Sequence, residues 1–195
     1  MNDSIAPRIA GHLLASAAVK QQASEECCSA AARAAEIIAD RLRGGGMLML
    51  CGNGGSAADA QHIAAEFVAM LDHHRPRPGL AAIALTTDTS LLTAFANDVG
   101  FDGVFARQVE ALGRPDSVLL GISTSGNSGN VIAALETGRK KGMVTIGLTG
   151  GTGGKIATVA DIAITVPSDS IQHIQETHIA LGHAITAEVE ILLGW

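Results

Sequence analysis

Charge is scarce in this chain. Only 16% of its 195 residues are Asp, Glu, Lys or Arg, and no run of Lys or Arg builds a basic stripe. The densest basic stretch, Arg139-Lys140-Lys141, reads as the solvated end of a helix. With a formal net charge of −6, the chain lacks the electrostatic footprint of a nucleic-acid-binding module. Cysteine is equally sparse. Cys27, Cys28 and Cys51 are odd in number, show no metal-finger spacing and give no disulfide framework, which points to a reducing compartment. The opening Met1-Asn2-Asp3-Ser4 does not lead through a charged segment into an apolar one, and no apolar stretch is long enough to span a bilayer. A cytoplasmic protein with no membrane contact is the expectation. No internal repeat and no low-complexity linker breaks the sequence.

What is there is apolar. A hydrophobic share of 47% means that most helices bury a broad face, as in a layered α/β protein or one that buries further surface between subunits. The length suits one domain over residues 1–195. Two Ala-rich helices are expected first, over 4–20 and 24–43, the second stopped by Gly44-Gly45-Gly46. Leu13, Leu14 and Ala17 mark the packed face of the first; Ala34, Ile37, Ile38 and Leu42 mark that of the second. Residues 1–43 would form a helical arm packed on the domain or on a neighbouring subunit. Buried strands are expected at 47–51, 80–85, 117–122, 144–148 and 162–166, separated by helices over 56–71, 88–97, 102–112, 129–141 and 171–193. Ser56 reads as the N-cap of its helix, with Asp59 in the first turn. Five short apolar strands alternating with helices predict an α/β fold with a doubly wound, parallel sheet.

In such folds ligands bind beyond the carboxyl ends of the strands, near the topological switch point. Gly52-Asn53-Gly54-Gly55-Ser56 has the strand-to-helix setting for backbone contact with an anion, although a ligand-free tight turn also explains it. It is not the dinucleotide fingerprint, whose third glycine is missing. Ser123-Thr124-Ser125-Gly126-Asn127-Ser128 puts four hydroxyls in six residues between a strand and a helix. Hydroxyls and free amides can cradle a phosphate without a lysine; an ordinary Ser/Thr turn is the rival explanation. Two such loops in one sheet favour a phosphate site.

His62 and Glu66, four apart, share one helix face, as metal ligands or as a surface ion pair. Gln175, Glu176, His178 and His183 lie on the last helix within an apolar stretch. Gln175 and His183 are eight apart, roughly 12 Å along the axis, so they meet at one metal only if their side chains lean together or different subunits supply them. Asn97-Asp98 is a third polar pair at the same sheet edge, with a helix C-cap as its alternative role.

Taken together, residues 51–66 (Cys51-Gly-Asn-Gly-Gly-Ser-Ala-Ala-Asp-Ala-Gln-His62-Ile-Ala-Ala-Glu66), Ala96-Asn97-Asp98, residues 121–128, Leu148-Thr149-Gly150 and Ile174-Gln175-Glu176-Thr177-His178 resemble the phosphoheptose isomerases. That family belongs to the sugar isomerase (SIS) domain superfamily, and the likeness runs in order from about residue 25 to about 190. It implies a flavodoxin-like SIS domain that converts sedoheptulose 7-phosphate to D-glycero-D-manno-heptose 7-phosphate. That is the first committed step toward nucleotide-activated heptose, as used in lipopolysaccharide biosynthesis. It also implies a homotetramer with sites at subunit interfaces and one zinc ion per subunit. Carried over by position, the metal ligands fall on His62, Glu66, Gln175 and His183. The sugar and phosphate contacts fall on Asn53, Gly54, Gly55, Glu66, Asn97, Asp98, Ser123, Thr124, Ser125, Ser128 and Gln175.

A ketose–aldose isomerisation moves a proton between C1 and C2 through an enediol, so it needs a base and an acid or relay. Glu66 is the candidate base and His183 the candidate acid or relay; Glu66 is not a tightly bound ligand and a free base at the same instant, so its division of labour stays open. A metal there would polarise the carbonyl and hold the linear sugar. A rival from another class is the replication-initiator-associating factor that resembles the same fold. That group lacks the acid and imidazole matching Glu66 and His183. Other SIS enzymes, acting on arabinose phosphate, glucosamine phosphate or a muramic acid ether, are a third alternative, disfavoured by the His62–Glu66 and Gln175–His183 pairs.

Overall fold

The computed structural model describes residues 4–195, so residues 1–3 of the expected arm lie outside the described residues. Each expected apolar run becomes a strand: β1 (Leu48–Gly52), β2 (Ala82–Ala84), β3 (Val118–Ser123), β4 (Val144–Gly150) and β5 (Ile162–Val166). All neighbours pair in parallel, in the order β2-β1-β3-β4-β5. The helices between them are α1 (Ile5–Glu26), α2 (Cys28–Arg43), α3 (Gly55–Val68), α4 (Thr89–Asp98), α5 (Val104–Leu112), α6 (Gly129–Lys140), α7 (Ile156–Val159) and α8 (Ile171–Leu193).

The residues of β1 and β3 are buried on both faces, and the pleat sends alternate side chains to opposite layers. Leu48, Leu50, Val118 and Leu120 join the core beneath α2, α3 and α8. Met49, Cys51 and Leu119 join a second core with Val104, Val109, Val131 and Leu135 of α5 and α6. That is the doubly wound arrangement expected from the sequence. Burial pushes the Cys51 thiol up to about 12 and, with the nearby Glu26 charge, the Cys27 thiol up to about 11, so both are inert. No helix among the described residues is long and apolar enough to cross a membrane.

The differences from expectation have local causes. Nothing between residues 20 and 24 breaks a helix, so α1 continues to Glu26 and only Cys27 separates it from α2. Leu13 and Leu14, expected to pack, are 63% and 72% exposed; α1 instead turns Ser16 and Ala23 inward. By contrast α2 buries Ala34, Ala35 and Ile38 completely or nearly so, which makes it part of the domain layer. The β2 run shrinks to three residues, an edge strand that pairs with β1 alone. The segment from residue 102 opens as a 3₁₀ turn, Phe101–Gly103, before α5, and the short α7 lies in what reads as loop.

Candidate functional site

The strand order reverses between β1 and β3, and the loops that follow these two strands face each other there. After β1 the chain turns at Gly54, with φ 55° and ψ −121°, a conformation open only to glycine. Gly54, not Ser56, is therefore the N-cap of α3; Ser56 lies inside the helix and is buried, and Asp59 falls beyond the first turn. A side-chain cap is absent, which leaves the first amides of α3 open. Asn53 holds the loop in place through a reciprocal amide pair with Asn130 of α6, each Nδ2 donating to the other's Oδ1 at 2.8 Å. Asn130 went unread in the sequence because only its distant partner reveals its role.

After β3, the Ser123 hydroxyl lies 2.9 Å from that of Ser128 and 3.5 Å from that of Ser125. Ser128 is the N-cap of α6 and makes no side-chain cap bond, so hydroxyls and helix amides are presented together. Thr124 and Ser125 line an open cleft of about 270 Å³ with Gly150, Gly151, Ser168 and Ile174. That space admits a phosphate and part of a sugar chain.

α3 and α8 also bring three donors together. His62 Nε2 lies 2.8 Å from His183 Nε2 and 3.4 Å from Glu66 Oε1. One ligand atom from each of the three lies within 4.8 Å of the others. Close approach of the helices makes this possible: a Cβ at Gly182 would collide with the Ile63 side chain. Donors about 2.0–2.2 Å from a tetrahedral zinc ion stand roughly 3.3 Å apart; His62 Nε2 and Glu66 Oε1 have that spacing, and the two ring nitrogens stand somewhat closer, at 2.8 Å. The residues fit a zinc ion.

Comparison with known proteins places the chain in a family. Residues 13–150 match the SIS domain family. The chain is 56% identical over 158 residues to a phosphoheptose isomerase of Chlorobaculum parvum, covering 80% of this chain and 76% of that one. It is 50% identical over 189 residues to one from Roseiflexus sp., covering 97% and 95%. The solved structure of the Neisseria gonorrhoeae phosphoheptose isomerase superposes with a TM-score of 0.90 at 46% identity, over 96% of this chain and all of that one. This chain belongs to the phosphoheptose isomerase family. It is an isomerase acting on a sugar phosphate.

Within a phosphoheptose isomerase, the remaining polar groups take distinct places. Gln175 turns its amide against the Gly55 backbone, where a Cβ would sit, and toward Asp59 one turn before His62. Burial pushes the Asp59 carboxyl up, while the Gln175 hydrogen bond and the His62 charge pull it back, and its Oδ2 is buried with no partner. Asn97 Nδ2 donates to Asp98 Oδ1 at 2.8 Å at the exposed end of α4, a helix with no fully buried residue. Among the described residues neither makes a hydrogen bond to the loops or to the two histidines. His178 is wholly buried and donates from Nε2 to the Thr149 carbonyl at 2.9 Å; burial pulls its pKa down to about 4, so it is a neutral strut.

Arg77 also escaped the sequence reading. Its buried guanidinium lies 2.6 Å from Glu190 Oε1 and donates to the carbonyls of Glu66 and Phe67 at 2.8 and 2.9 Å. It thereby satisfies the end of α3 just where Glu66 sits. The only sequence signal is an arginine among prolines after a helix.

Proposed function

We propose that this isomerase converts sedoheptulose 7-phosphate to D-glycero-D-manno-heptose 7-phosphate, on the way to nucleotide-activated heptose. The observations that carry the reading are the convergence of His62, Glu66 and His183 on α3 and α8, and the two anion-ready loops at the switch point, one of which opens α3. Ser123, Ser125 and Ser128, with the amides of α6, hold the phosphate; Thr124 and the loop Asn53-Gly54-Gly55 line the path of the sugar.

Glu66 takes the proton from C1 of the open ketose and the enediol is then protonated at C2, which leaves an aldose with unchanged atom count. One Glu66 oxygen faces His62, and among the described residues its carboxylate accepts no other hydrogen bond, so an oxygen is free for that proton. His183 is the acid or relay that moves a proton between the C1 and C2 oxygens. His62, Glu66, His183 and Gln175 are the residues that would hold one zinc ion per subunit, which when bound polarises the carbonyl as a Lewis acid. Asn97 and Asp98 contact the sugar hydroxyls.

We place the reaction in the cytoplasm, where Cys27, Cys28 and Cys51 stay as thiols. The protein assembles as a homotetramer with sites completed at subunit interfaces. Ile5, Ile9, Leu13 and Leu14 of α1 are 47–72% exposed, an apolar face that suits a neighbouring copy. Sedimentation at micromolar concentration checks this, with an active monomer as the contrary result. For the activity, purified protein is incubated with sedoheptulose 7-phosphate and the aldoheptose phosphate sought by NMR. No product from folded, zinc-supplied protein would overturn the reading.

A further inference from the structure

α1 and α8 carry a second group of donors that the isomerisation does not use. His173 and Glu176 are three apart on α8, so they share one face, and His12 of α1 reaches them there. One ligand atom from each of the three lies within 4.8 Å of the others. His12 Nε2 is 2.8 Å from Glu176 Oε1, and the His12 and His173 rings stand 4.8 Å apart between centroids, tilted by 58°. The other Glu176 oxygen accepts from the Ser16 hydroxyl, which itself accepts from Lys20 Nζ at 2.5 Å. These contacts hold the Glu176 carboxyl below its usual range, the Ser16 and His12 hydrogen bonds contributing most.

A plain hydrogen-bonded brace between helices accounts for the His12–Glu176 contact. It does not account for His173, whose Nε2 is buried with no hydrogen-bond partner. Buried ring nitrogens without partners are uncommon and call for a cause; His178 Nδ1 is another, but it belongs to no group of metal-ligating side chains, whereas His173 stands with His12 and Glu176. Two imidazoles and one carboxylate are also the protein donors of open zinc sites. Ser16 and Lys20 grip the carboxylate from behind, as outer partners of a metal ligand do. The His12 and Glu176 side chains are 38% and 39% exposed, so an ion has a way in from solvent.

We infer that His12, His173 and Glu176 form a second divalent-metal site, of the zinc type, that clamps α1 onto α8. The site shares no residue with His62, Glu66 and His183, so it stands whether or not those three hold a metal. Its role is structural. A metal that binds only the folded chain favours folding by mass action, about a hundredfold when the free ion is at a hundred times its dissociation constant. The beneficiary is the docking of α1 on the helix that also carries Gln175 and His183.

The test uses the full chain carrying His62→Ala and His183→Ala, stripped with a chelator, dialysed against zinc chloride and counted by mass spectrometry. One zinc per chain should remain, and zinc should raise the melting temperature. Adding His173→Gln or, from the other helix, His12→Gln should weaken zinc binding at least about ten- to a hundredfold and remove the thermal shift. Should the double variant fold poorly, wild-type protein serves instead: it should hold one zinc ion per chain more than His173→Gln, in which His62 and His183 are intact. Zinc uptake unaffected by both His173→Gln and His12→Gln overturns the site. So does a wild-type chain whose whole zinc content disappears with His62→Ala alone, a result that leaves the isomerase metal standing.

Discussion

His178 and His183 lie five residues apart on α8, yet the fold makes different things of them. His178 points into the sheet, loses all contact with water and spends its one proton on the Thr149 carbonyl. His183 points along α3, stays partly exposed and faces two further groups that can exchange a proton or share an ion. Residue type and helix are the same. What separates them is company: a fixed acceptor with full burial gives a strut, while convergent donors with access to solvent give a reactive cluster.

His183→Ala tests this contrast most severely. Turnover of the zinc-supplied enzyme should fall by about a hundred- to ten-thousandfold, since an acid–base partner goes with a metal ligand. Its melting temperature without metal should hardly move, because a partly exposed side chain away from the core is worth about 0.5 kcal/mol or less. Steady-state assays beside apo-protein melts check both halves.

His178 should show the reverse. Its pKa falls from about 6.5 in the unfolded chain to about 4 in the fold. Between those values the unfolded chain binds more protons, so stability rises with pH. Its contribution of roughly 3 kcal/mol is fully present above pH 6.5 and is lost as pH drops toward 4. Urea melts from pH 4 to 7 should therefore show a steeper slope for wild type than for His178→Gln, which has no proton to gain. Equal slopes would place His178 in contact with water.

Gly182→Ala probes how the reactive pair is brought together. The added methyl meets Ile63 and should cost about 1–3 kcal/mol while also lowering kcat, as α8 moves off α3. Loss of stability alone would mean that the helix spacing does not set the His62–His183 distance. The smallest effect is expected at the phosphate loop. Ser125→Ala removes one hydroxyl of three and should raise KM more than it lowers kcat, because phosphate binding is common to ground and transition states.

Much of the fold is legible in the sequence because its strands are short apolar runs, and the central ones, β1 and β3, are buried on both faces. The boundary of α1 is not legible, since Gln21, Gln22 and Ala23 form helix as readily as what precedes them. At the site, the spacing of His62 and Glu66 is visible from the chain alone, as is the hydroxyl density of 123–128. That His183 joins them depends on how two helices cross. Asn130 and Arg77 are invisible for the same reason: their meaning lies in partners 77 and 113 residues away.

The most direct measurement follows the proton at C1 of sedoheptulose 7-phosphate by NMR in deuterated solvent, with wild-type protein and Glu66→Gln side by side. Wild type should form the aldoheptose phosphate and exchange the C1 proton. Glu66→Gln, folded and in the same assembly state, should lose both by about a hundredfold or more. Near-normal exchange in the variant would contradict the account, because the base would then be another group, with Asp98 or His62 next in line.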